Sequence, residues 1–66
     1  MNIESIISDC ANKGFEITFR STQYNEIFEC CIERDGQFRG AKPFSAGSNL
    51  HDAAINAARY ARVPGY

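Results

Sequence analysis

The chain has 66 residues, 44 % of them apolar, and its seven Lys and Arg against eight Asp and Glu leave a net charge of -1. A chain of this length has room for one domain and buries only about 60 % of its unfolded surface. The lack of a basic excess argues against a protein that holds phosphates across a broad face, and the near balance of charge argues equally against an acidic mimic of DNA.

The first expected element is a helix. Ile3, Ile6, Ile7, Cys10 and Ala11 fall on one helical face, Asn2 can cap it, Glu4 suits the first-turn dipole, and Lys13-Gly14 reads as its stop. The period then changes to two. Phe15, Ile17 and Phe19 alternate with Glu16, Thr18 and Arg20, as in a strand with one apolar and one polar face, and the polar run STQYN ends it. A second strand, EIFECCIER, places Phe28, Cys30 and Ile32 on one side and Ile27, Glu29, Cys31 and Glu33 on the other.

Asp35-Gly36 signals a hairpin, because these residues accept the positive φ of a tight turn. A two-residue loop would set Phe38 beside Glu33 on the polar face. A bulge at Gly36 would turn Phe38 and Gly40 inward beside Ile32 and Cys30, and this register is favoured because it buries an aromatic ring. Pro43 limits the third strand to an edge or an early end. The loop SAGSN leads to Ser48 or Asn49 as the cap of a last helix, whose inner stripe is Leu50, Ala53, Ala54, Ala57, Ala58 and Ala61, with Asp52, Asn56 and Arg59 facing away. Val63-Pro64 ends that helix. The order predicts an α+β two-layer sandwich, helix-strand-strand-strand-helix, with a three-stranded antiparallel sheet covered on one face by both helices.

The chemistry-bearing residues do not assemble into a catalytic pattern. His51 stands next to Asp52 without a Ser, Cys or second His at the spacing of a triad or a zinc site. Cys30 and Cys31 lack the two-residue gap of a zinc knuckle, and the glycines form no phosphate-binding fingerprint. Glu16, Glu29 and Glu33 are expected to project together from the open sheet face, where a shallow domain offers no cleft to desolvate them. The expectation is a non-enzymatic protein without metal or cofactor. Three cysteines, an odd number, read as reduced thiols, and with no basic leader and no long apolar run they suggest a soluble cytoplasmic protein.

The segments FEITFRS, IFECCIERDG, QFRGAKPFSAG and NLHDAAINAARYA resemble, in their order, a double-stranded-RNA-binding domain. That family grips phosphates with lysines at the start of its final helix. The matching positions here, Ser48, Asn49, Leu50, His51 and Asp52, supply no lysine and one carboxylate, so the resemblance implies the fold without the RNA grip. Lys42, Arg59 and Arg62 would be the residues of a reduced nucleic-acid site. The run Glu33-Arg34-Asp35-Gly36, then Gly40, Ala46-Gly47-Ser48 and the pairs Ala53-Ala54 and Ala57-Ala58, is similar to small phage-encoded anti-CRISPR proteins of type I systems. This resemblance implies an inhibitor that binds a CRISPR surveillance complex in the host cytoplasm and blocks DNA access or nuclease recruitment.

Taken from the residues alone, the chain reads as a protein-binding module. The expected partner surface is either the acidic sheet face, Glu16, Glu29 and Glu33, or the polar face of the last helix with Ile55 and Arg59, together with Tyr24 in the first hairpin loop and Ile27. The alternatives are the nucleic-acid domain and a homodimer formed through strand edges or open sheet faces, which would bury Ile27 and Cys31.

Overall fold

Both helices begin at an asparagine and end in the same backbone device. The computed structural model, which describes residues 2–21 and 27–66, has α1 at Ile3–Asn12, β1 at Glu16–Ser21, β2 at Phe28–Glu33, β3 at Ser45–Gly47 and α2 at Leu50–Tyr60. Asn2 Oδ1 accepts from Ser5 N at 2.9 Å and Asn49 Oδ1 accepts from Asp52 N at 2.8 Å, each satisfying a first-turn amide. At the end of α1, Gly14 takes φ +84°, and the amides of Gly14 and Phe15 donate to the carbonyls of Ala11 and Cys10. At the end of α2, Arg62 takes φ 58°, and the amides of Arg62 and Val63 donate to those of Arg59 and Ala58. Both are Schellman closures that swing an apolar residue, Phe15 or Val63, back into the core.

The sheet is antiparallel with order β1-β2-β3, and both helices lie on one face. Its register pairs Ile17 with Ile32 and Phe19 with Cys30, so the inward side chains of β1 and β2 stand opposite one another, as the alternation predicts. With Ile6 and Cys10 of α1 and Ala53, Ala54, Ala57 and Ala58 of α2 they make the core. Alanine matters because it brings the α2 backbone down onto the sheet. The closest approach is at Gly47, where a built Cβ would lie 2.3 Å from the amide nitrogen of Ala53. Leu50, expected on this inner stripe, is 40 % exposed at the first turn.

The structure departs from the expected hairpin after β2. Asp35 and Gly36 do adopt positive φ and close a turn from Gln37 N to Arg34 O at 3.1 Å. The chain then turns again, with Arg39 N donating to Gly36 O, and joins the sheet only at Ser45, opposite Cys30. Neither predicted register of Phe38 occurs; its ring lies 6.0 Å from that of Tyr60 instead. Gly40 at φ 92° and Pro43, which has no amide proton, are incompatible with a regular strand here. Residues 34–44 therefore form a strap rather than a strand, and it crosses the sheet face that the helices leave uncovered.

The C-terminal residues are tied to α1. Lys13 Nζ donates to Asp9 Oδ2 at 2.9 Å and to the carbonyl of Pro64, and lies 5.5 Å from the centre of the Tyr66 ring. This ammonium holds the Asp9 carboxyl below its usual value, while burial and the Asp9 hydrogen bond push the Tyr66 phenol up.

Gly47→Ala tests the close approach. A methyl group there meets backbone rather than a side chain that could rotate, so denaturant unfolding should show a loss of about 2 kcal/mol or more.

Candidate functional site

Two surfaces were candidates, and the structure treats them differently. On the sheet face away from the helices, β1 and β2 present Glu16 opposite Glu33, Thr18 opposite Cys31 and Arg20 opposite Glu29. Two carboxylates directly across a strand pair repel. The strap resolves this: Lys42 Nζ lies 2.7 Å from Glu33 Oε1. Further along the ladder, Arg20 Nη2 bonds Glu29 Oε2 at 2.9 Å, and its guanidinium stacks 3.8 Å from the centre of the Phe44 ring.

The expected open acidic face is thus covered over the end of β2, while Glu16, Thr18 and Arg20 of β1 stay exposed. Cys31 is 1 % exposed and Glu33 4 % exposed, because Lys42 and Phe44 of the strap lie over residues that alternation alone assigns to solvent. Of the three carboxylates, only Glu16 remains exposed. Lys42 is likewise spent within the chain and is not available to a basic patch with Arg59 and Arg62. Its hydrogen bond to Glu33 pushes the ammonium pKa above its ordinary 10.5. Cys31, one of the two residues expected in a dimer interface, is already covered by its own chain. Ile27, just before β2, is half-buried. Tyr24 lies outside the described residues.

All three cysteines are buried and free. Burial pushes the Cys30 thiol up to about 12 and raises Cys10 as well. For Cys31 burial also dominates, with Glu33 adding to the rise and Lys42 and Arg20 opposing it. Among the described residues no three of His, Cys, Asp or Glu gather as metal ligands would, and no helix is long and apolar enough to cross a membrane.

The second surface, the outer side of α2, is open. Successive turns bring His51, Ile55 and Arg59 into line, and with Gly47, Ser48 and Asn56 they border a shallow groove of about 440 Å³. Ile55 is half-buried and Arg59 exposed. Among the described residues Arg59 has no carboxylate partner. At the groove's other end Asp52 closes the α2 N-terminus onto itself: its carboxylate accepts from Ser48 Oγ at 3.4 Å and Asn49 Nδ2 at 3.3 Å, and sits 3.5 Å from His51 Nδ1. A carboxylate therefore occupies the position where that helix would otherwise attract an anion.

Ile55 and Arg59, one helical turn apart, line one groove, and Gly47 and Ser48, not expected there, border it too. For Gly47 the signal was present in the close packing that an all-alanine helix face demands. Compared with protein-family models, curated proteins and solved structures, the chain matches none of them.

Two outcomes follow from the covered face. With iodoacetamide near neutral pH, all three thiols should react about a hundredfold more slowly in the folded protein than in denaturant, since each is both buried and shifted away from the thiolate. Lys42→Met should destabilise the fold by leaving the buried Glu33 carboxylate without its counter-charge. The raised Lys42 pKa fixes the sign of the pH dependence. The pair contributes fully below the ordinary 10.5 and is lost as pH rises through the higher folded value, so wild type and variant should converge in strongly alkaline urea titrations.

Proposed function

We propose that the protein is a non-enzymatic binding module that inhibits a protein partner sterically, docking through the outer side of α2. The supporting observation is the contrast between the two surfaces: Glu29 and Glu33 are paired within the chain, whereas the groove beside Ile55 and Arg59 is open and its guanidinium is uncommitted among the described residues. An apolar contact flanked by arginine is a common composition of an interface centre. The choice of a CRISPR surveillance complex as the partner rests on the anti-CRISPR resemblance of residues 33–58.

Nucleic acid is the less favoured partner. Of its three candidate cations Lys42 is engaged by Glu33, and the α2 N-terminus already holds the Asp52 carboxylate.

The test is capture of a purified type I surveillance complex by the tagged protein after nuclease treatment. Retention by wild type, a loss of roughly tenfold or more in affinity for Ile55→Asp and for Arg59→Glu, and no change for Glu29→Gln would support docking through α2. Capture that disappears with nuclease and falls steeply with salt would replace this reading with nucleic-acid binding.

A further inference from the structure

The two edges of the sheet are finished differently. β3 is three residues long, and the Ala46 carbonyl accepts a hydrogen bond from Asn56 Nδ2 at 2.9 Å, so a side chain of α2 occupies that edge. β1 forms the other edge with six residues, and no described element pairs along its outer side. An uncovered strand of this length offers a row of backbone donors and acceptors to another strand.

We propose that β1 is a homodimer interface, in which two copies pair antiparallel about a twofold axis at Thr18 and extend the sheet to six strands. The sequence of β1 is self-complementary about that residue and about no neighbouring one. With Thr18 opposite Thr18 of the second copy, Glu16 stands opposite Arg20 and Ile17 opposite Phe19, each pair occurring twice. Directly opposed residues of antiparallel strands share a face, so the charged and threonine pairs lie on the strap side and the apolar pairs on the helix side. Glu16 is exposed and has no ion-pair partner among the described residues. Arg20 bonds Glu29 through Nη2 and keeps other guanidinium donors, its side chain being 56 % exposed. Moving the axis to Ile17 or Phe19 would remove the Glu-Arg matches.

The apolar surface agrees with this placement. Ile17 and Phe19 pack against the core yet stay half-buried. A second copy paired along β1 would cover both. This association uses neither Ile55 nor Arg59 and is independent of the partner reading above.

Sedimentation of the wild type and of Glu16→Lys and Arg20→Glu tests it, with circular dichroism to confirm folding, because Arg20→Glu also loses the ion pair to Glu29. Wild type should dimerise. Each variant alone sets like charges opposite one another twice and should dimerise about tenfold more weakly. In a mixture of the two variants, the lysine introduced by Glu16→Lys meets the glutamate introduced by Arg20→Glu, and the unaltered Arg20 of the first meets the unaltered Glu16 of the second. Both cross-strand pairs are then attractive, and the mixture should recover the dimer; a folding defect would give no such recovery. A wild type that stays monomeric up to on the order of 1 mM, single variants that dimerise like wild type, or a mixture that remains monomeric would each overturn the proposal.

Discussion

The ion pair between Glu33 and Lys42 decides which surfaces of this protein face the outside. The register that turns Ile17, Phe19, Cys30 and Ile32 toward the helices also sets Glu16 opposite Glu33. A counter-charge must come from elsewhere, and it comes from the strap at Lys42. Once the strap is held there, Phe44 reaches the Arg20 guanidinium and Cys31 is sealed. The β2 part of a face that would otherwise be polar and solvated becomes a second, thinner packing layer.

That layer is built differently from the core on the helix side. There the contact is van der Waals, with an alanine stripe drawn close enough at Gly47 that a side chain has no room. Under the strap, charged and aromatic groups meet, and Glu33 Oε2 is buried without a hydrogen-bond partner among the described residues. A buried ion pair of this kind contributes less to net stability than its Coulomb attraction suggests, because both ions lose water. Its role here is selective: it specifies where the strap lies and buries Glu33, while Arg20 engages Glu29 further along the ladder.

The helices and the first two strands were legible because each rests on a local rule. The period of Ile3, Ile6, Ile7 and Cys10, the caps at Asn2 and Asn49, and the alternation of Phe15, Ile17 and Phe19 require no knowledge of the rest of the chain. The strap was not legible. Asp35-Gly36 makes the turn its sequence announces, but whether the chain then pairs with β2 depends on Lys42 finding Glu33, well back along the chain at the end of β2. The same separation hid the true exposure of Cys31 and Glu33, since alternation assigns a face and not what covers it. Arg62 adopts the left-handed conformation without glycine to signal it, so the end of α2 was read from Pro64 instead. For the candidate site, Ile55 and Arg59 followed from helical spacing, while the acidic face required knowledge of the strap.

The hold of the strap on β2 buries Cys31 and Glu33 and leaves the outer side of α2 and the edge of β1 open among the described residues. Nuclear Overhauser measurements on the labelled protein in solution address it most directly. Cross-peaks are expected from the Lys42 methylenes to those of Glu33 and from the Phe44 ring to the Arg20 side chain. If both sets are absent while those across the β1-β2 ladder are present, the strap does not hold, the sheet face is open, and the assignment of the contact surfaces is wrong.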